Sequence, residues 1–168
     1  MFAFSRRAGI AAIGAIAFAG TLLFSSAGYT QAGGPFSAAA GNWSGGGSVA
    51  FNDGRKERIR CRASYAVENG GFATSITISC ASDSYKFELT SNITASGNQV
   101  AGTWDERSRG VGGNISGTIS GGTMNLRAGG QTFNAILSIA LRPGSQSITI
   151  QSPGSELSAV SISLNKGG

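Results

Sequence analysis

Apolar and polar side chains alternate along most of this chain with a period of two. Ile59, Cys61, Ala63 and Tyr65 fall on one face of such a segment, and Arg58, Arg60, Arg62 and Ser64 on the other. Phe72, Thr74, Ile76, Ile78 and Cys80 repeat the pattern. Tyr85, Phe87 and Leu89 follow, then Val100, Gly102 and Trp104, then Met124, Leu126 and Ala128. Phe133, Ala135, Leu137, Ile139 and Leu141 make the most regular run of the second half. Ile148 and Ile150 belong to another, and Val160, Ile162 and Leu164 to the last. A thin, glycine-rich segment around Ile115 and Ile119 and an opening segment from Gly41 to Phe51 complete the set. Alternation of this kind marks half-buried antiparallel strands. Between the runs stand Asn52-Asp53-Gly54, Ser96-Gly97-Asn98, Ser120-Gly121-Gly122, Arg142-Pro143-Gly144 and Ser152-Pro153-Gly154, all of them turn chemistry.

The pattern predicts an all-β fold of about eight to ten short antiparallel strands. The connections are short, which favours an up-and-down meander over a Greek key with its long crossover. A meander with one apolar face curls until its edges meet. A closed or nearly closed barrel over residues 41–166 is therefore expected. A membrane-spanning barrel needs strands of ~9–11 residues and a continuous apolar outside. The runs here read as shorter, and their polar faces carry Arg, Lys and Ser.

Both cysteines, Cys61 and Cys80, lie in one predicted hairpin that turns at Glu68-Asn69-Gly70-Gly71. A turn centred on Gly70-Gly71 sets Tyr65 opposite Ile76, Ala63 opposite Ile78 and Cys61 opposite Cys80. A turn centred on Asn69-Gly70 offsets the cysteines, and the sequence leaves both registers open.

Composition narrows the chemistry. Histidine is absent from the 168 residues, which removes imidazole acid–base catalysis, the Ser-His-Asp triad and His-rich metal sites. Two cysteines fall short of the four ligands of an ordinary structural zinc site. No cofactor motif is present, so neither a metal nor a cofactor is expected. Met1 to Ala27 reads as an export signal: Arg6-Arg7, an apolar run from Ala8 to Phe24, then small residues. Cleavage after Ala27 and cleavage after Ala32 fit equally. Ser5-Arg6-Arg7 also has the form of a twin-arginine leader, and the rival reading of the apolar run is an uncleaved anchor. Loss of Arg6 and Arg7 with the leader lowers the net charge from +5 to +3, too little for a dedicated nucleic-acid binder. Export to the periplasm or the medium, with no membrane span left after signal removal, favours a Cys61–Cys80 disulfide over two thiols. Residues 28–40 read as a flexible N-terminal tail.

Gly41-Asn42-Trp43 resembles the Gly-x-Trp opening of the calycin barrels, the lipocalins and avidins, and Gly102-Thr103-Trp104 has the same form. The resemblance implies a barrel with Trp43 against its floor. Trp43-Ser44-Gly45-Gly46-Gly47, Arg58-Ile59-Arg60-Cys61-Arg62 and Cys80-Ala81-Ser82-Asp83-Ser84-Tyr85-Lys86-Phe87 are similar to segments of a group of small exported alphaproteobacterial proteins of uncharacterised function. The layout is also similar to that of periplasmic inhibitors of secreted metalloproteases. Those are lipocalin-like barrels with one disulfide and a flexible N-terminal segment that enters the protease.

Few residues carry candidate chemistry. Trp43, Tyr65, Tyr85, Phe87 and Trp104 are the candidates to line a ligand cavity; the plainer reading of aromatics is core. Arg58, Arg60 and Arg62 form a row suited to an anionic surface, against the plainer reading of a solvated face. Asp105 and Glu106 are adjacent on a strand, so they point to opposite faces and cannot act as a carboxylate pair. Three function classes follow: a barrel binding a small apolar ligand, a protein-interaction or protease-inhibitor barrel, and an enzyme. The first is the expected one, with no enzymatic activity and no specific nucleic-acid partner. An open interior would favour ligand binding, and a filled interior with a projecting tail would favour the inhibitor.

Overall fold

A sheet that is apolar on one face must bury that face, and its unpaired edges invite association. Closing the sheet meets both demands. A computed structural model describes residues 33–131 and 134–167; the signal reading of 1–27, both cleavage sites and the strand position given to Phe133 lie outside the described residues. Among the described residues ten strands form: β1 (Gly41–Phe51), β2 (Lys56–Glu68), β3 (Ala73–Ala81), β4 (Lys86–Ser96), β5 (Gln99–Glu106), β6 (Val111–Ser120), β7 (Thr123–Gly130), β8 (Asn134–Arg142), β9 (Ser145–Gln151) and β10 (Leu157–Lys166). Each pairs antiparallel with the next, and β10 pairs with β1, which closes the barrel. The all-β up-and-down barrel expected from the alternation is the fold observed.

The β2–β3 register is the one in which Tyr65 faces Ile76, Ala63 faces Ile78 and Cys61 faces Cys80. The two cysteines form a disulfide. The connection is longer than a two-residue turn. Asn69, Gly70 and Gly71 all take positive φ (51°, 64° and 96°), conformations that glycine and asparagine reach at little cost. Asn69 and Phe72 are the two added residues, and Phe72 sits in this connection with 46% of its surface exposed rather than on the inward face of β3.

Strand lengths of 7 to 13 residues exceed what the sequence suggests, so length alone does not argue against a lipid-facing barrel. The outer wall does. It presents Ser44 and Ser48, Arg58 to Arg62, Thr77 and Ser79, Asn114 and Ser116, Ser147 and Thr149, and Ser161 and Ser163. This wall lacks the apolar band that a membrane barrel needs. No helix among the described residues is long and apolar enough to cross a membrane.

The up-and-down path sorts the connections to two ends. Residues 52–55, 82–85, 107–110 and 152–156 surround one end, and 69–72, 97–98, 121–122 and 143–144 the other. The second end is closed by residues 33–40, whose described structure differs from the tail expected there. Gly34 and Phe36 donate their backbone N–H groups to the carbonyls of Gly70 (2.7 Å) and Gly71 (3.0 Å). Phe36 is 1% exposed and belongs to the buried cluster that contains Ile93, Val100 and Trp104. A short 3-10 turn, Ser37–Ala39, follows and touches both β2 and β8 on well-separated parts of the wall. The Trp43 indole N–H donates to the Ala39 carbonyl at 2.7 Å. One large aromatic in a segment otherwise made of Gly, Pro, Ser and Ala supplies the apolar area that anchors it; burying it is worth about 2–3 kcal/mol. Close backbone approach makes the docking possible. A Cβ on Gly34 would lie 2.4 Å from the Gly71 carbonyl.

Candidate functional site

Inward residues of a barrel fill its lumen only if their volumes match its width. Eight strands leave room for side chains or one small ligand, and the lumen widens with strand number. Here ten strands point modest side chains inward, several of them small: Ala63, Ser91, Ala128 and Ala135. The fully buried side chains accordingly form two clusters, bridged by the half-buried Val67, Ile76, Leu89 and Ile139. A cavity of about 360 Å³ lies between the walls, within the range of small-molecule sites. Ile76, Leu89, Leu137, Ile139 and Ile150 line it and are only half-buried although they face inward. The cavity wall runs out to Arg109 and Glu156, which are exposed, so the interior opens to solvent at that end. The floor is sealed by Phe36 and Trp43, so the mouth is the end ringed by the 82–85, 107–110 and 152–156 connections.

Tyr65, Tyr85, Phe87 and Trp104 all line the cavity. Trp43 does not. It lies beside Tyr65, edge to face at 6.3 Å between ring centroids, and its N–H is committed to the floor segment. Tyr65 donates its hydroxyl to Gln146 Oε1 at 3.0 Å, and burial pushes the phenol up to about 12. This tyrosine stays neutral at any physiological pH. Phe87 pairs with Cys80 across β3 and β4, so the disulfide fixes the strand that carries it. Arg58, Arg60 and Arg62 are exposed on the outer wall and take no part in the cavity.

The mouth carries the polar groups that sequence reasoning passed over. Glu106 is 7% exposed. Its carboxylate accepts the backbone N–H groups of Glu88 (3.0 Å), Ser108 (3.0 Å) and Arg109 (2.8 Å). Burial opposes its ionisation, but these donors outweigh burial and hold the carboxyl below its usual range. The 107–110 connection is thereby folded around one side chain. The Arg109 guanidinium stands 4.1 Å over the Tyr85 ring and 3.6 Å from Glu106. Burial raises the Tyr85 phenol, with Arg109 opposing it. Across the rim, Glu57 accepts from the hydroxyls of Ser82 (2.6 Å) and Ser84 (2.5 Å) and from Ser84 N–H (3.1 Å), which lower its pKa in that order of residues. The alternation did contain a signal for Glu106: it is an acid in the apolar register of Val100 and Trp104.

The site is thus an apolar pocket with a polar rim. Among the described residues no group of three or more His, Cys, Asp or Glu side chains could hold a metal ion. No protein-family model matches the sequence, and no curated protein matches it. The structure is similar to that of Rv2717c from M. tuberculosis, with a TM-score of 0.64 at 16% identity over 79% of this chain and 94% of the other. It is also similar to the S-type phycobiliprotein lyase CpeS from Guillardia theta, with a TM-score of 0.58 at 12% identity over 79% of this chain and 90% of that one. The fold is calycin-like. Identities this low speak for the fold alone.

Proposed function

We propose that this is an exported, non-enzymatic barrel that binds one small apolar molecule in its lumen. The observation that carries the reading is the cavity of about 360 Å³, walled by aliphatic and aromatic side chains and open at one end. Burial of apolar ligand surface would supply the affinity at about 25 cal/mol per Å², and the few rim groups would set orientation. The lining hydroxyls do not stand ready for catalysis. Ser91 donates to the Thr103 carbonyl, Ser152 to that of Asn134 and Ser155 to that of Leu157, and no histidine exists to activate one. The inhibitor reading wanted a filled interior and a projecting tail, whereas residues 33–40 are docked as a floor. A disulfide belongs to an oxidising compartment, which supports export to the periplasm or the medium.

Native mass spectrometry of the protein recovered from its own cells without detergent tests the proposal. The expected spectrum contains a species heavier by one small organic molecule, which solvent extraction removes. Recovery of a stoichiometric complex with a second protein, its lumen empty, would overturn it in favour of the interaction barrel.

A further inference from the structure

Strand β2 carries a second feature that owes nothing to the lumen. Its outward positions from the mouth downward are Lys56, Arg58, Arg60 and Arg62, all exposed. Four cations at every second residue span roughly 20 Å along one line of the wall. None of them is in an ion pair among the described residues; the pairs formed are Arg55 with Asp53 and Glu57, Lys86 with Glu88, and Arg109 with Glu106. The only acid on the outward side of β2 is Glu68, six residues beyond Arg62, which is roughly 20 Å away. The flanking outward residues are small. Arg58, Arg60 and Arg62 face Ser48, Gly46 and Ser44 on β1, and Arg60 and Arg62 face Ala81 and Ser79 on β3. The cationic side chains therefore rise above their immediate neighbours on β1 and β3; one strand further, on β4, stand Lys86 and Glu88, paired with each other at 2.8 Å.

We infer that the row docks the barrel, side on, against a lipid surface bearing anionic phosphate headgroups. The row runs obliquely across the wall because barrel strands tilt against the axis, and the long Arg and Lys stems carry their charged heads to either side of it, so the cations can reach a headgroup layer together. Guanidinium pairs with phosphate through parallel hydrogen bonds, and mobile headgroups need no preformed shape to match the row. Other anionic partners fit less well. Single-stranded nucleic acid is held by aromatic platforms as well as charge, and the outward neighbours here are Ser, Gly and Ala. Protein hot spots sit in well-packed, desolvated pockets, and this face offers exposed cations between Ser, Gly and Ala with no pocket. The inference does not depend on what the cavity holds.

Co-sedimentation with vesicles tests it. Two compositions are used, pure phosphatidylcholine and an equimolar mixture with phosphatidylglycerol, at low and at physiological salt. The protein is expected to bind the mixed vesicles, salt-sensitively, and not the neutral ones. Each cation removed should lower the partition coefficient about fivefold. The triple variant Arg58→Ser/Arg60→Ser/Arg62→Ser should therefore lose about a hundredfold. Arg127→Ser/Arg142→Ser, which removes exposed cations from other strands, should bind as the parent does. Circular dichroism and an intact disulfide establish that both variants are folded. Equal sedimentation of the parent with both compositions would overturn the inference, as would an equal loss in the control variant. Displacement from vesicles by a single-stranded oligonucleotide bound more tightly through the same arginines would reassign the row to nucleic acid.

Discussion

Thr74 is 4% exposed, and its hydroxyl has no hydrogen-bond partner among the described residues. A buried hydroxyl left unpaired costs about 1–3 kcal/mol. Thr74→Val, which keeps the shape and removes the polar group, should therefore stabilise the barrel by about 1 kcal/mol in urea unfolding; a destabilised variant would show that the hydroxyl is satisfied in solution. Glu106 makes the opposite case. Its pKa is lower in the folded chain than the ordinary value of 4.5. The stability it contributes is thus complete above the unfolded pKa and is lost as pH falls through the folded one. Exchange of the Ser108 and Arg109 amides should accelerate as pH drops through the acid range, beyond the intrinsic pH dependence. Glu106→Gln should leave those amides weakly protected at neutral pH as well. Protection that persists in acid would refute the role given to this carboxylate. Tyr65, Tyr85, Phe87 and Trp104 were legible as inward aromatics because alternation sets direction. Trp43 sits in the same kind of Gly-x-Trp frame as Trp104, and nothing local distinguishes a floor position from a wall position.

The floor segment is the element least visible in the sequence. Residues 33–40 have no periodicity and are largely Gly, Ala and Ser, which is the composition of a tail. Their order comes from backbone bonds to Gly70 and Gly71 and from the burial of Phe36, contacts distant in sequence that no local pattern announces. Phe36→Ala should destabilise the protein by about 3–5 kcal/mol and expose 33–40 to limited proteolysis. A variant as stable and as resistant as the parent would mean that the segment is merely draped over the end. The β2–β3 hairpin is the contrasting case. Alternation and the turn glycines announce the hairpin but leave two registers open; the structure takes the one that sets Cys61 opposite Cys80 and bonds them. Phe72 was misplaced because period-two reasoning continues through a connection whose length it does not measure.

At the scale of the whole molecule, ten strands closing through β1 and β10 follow from short turns and one apolar face, and both are plain in the sequence. Whether the lumen is filled does not follow. That depends on the difference between barrel width and the summed inward volume, and small inward residues such as Ala128 and Ala135 count only once strand number and closure are known. The central claim is that this unfilled space is a binding site. Titration with N-phenyl-1-naphthylamine, a neutral apolar probe whose emission rises out of water, tests it most directly when run in parallel on the parent and on Ile150→Trp. Ile150 lines the cavity and is half-buried, so an indole there occupies the space with little strain on the wall. The parent should bind one probe per barrel saturably, and the folded variant at least tenfold more weakly. Equal binding by both proteins, or none by the parent, would contradict the account.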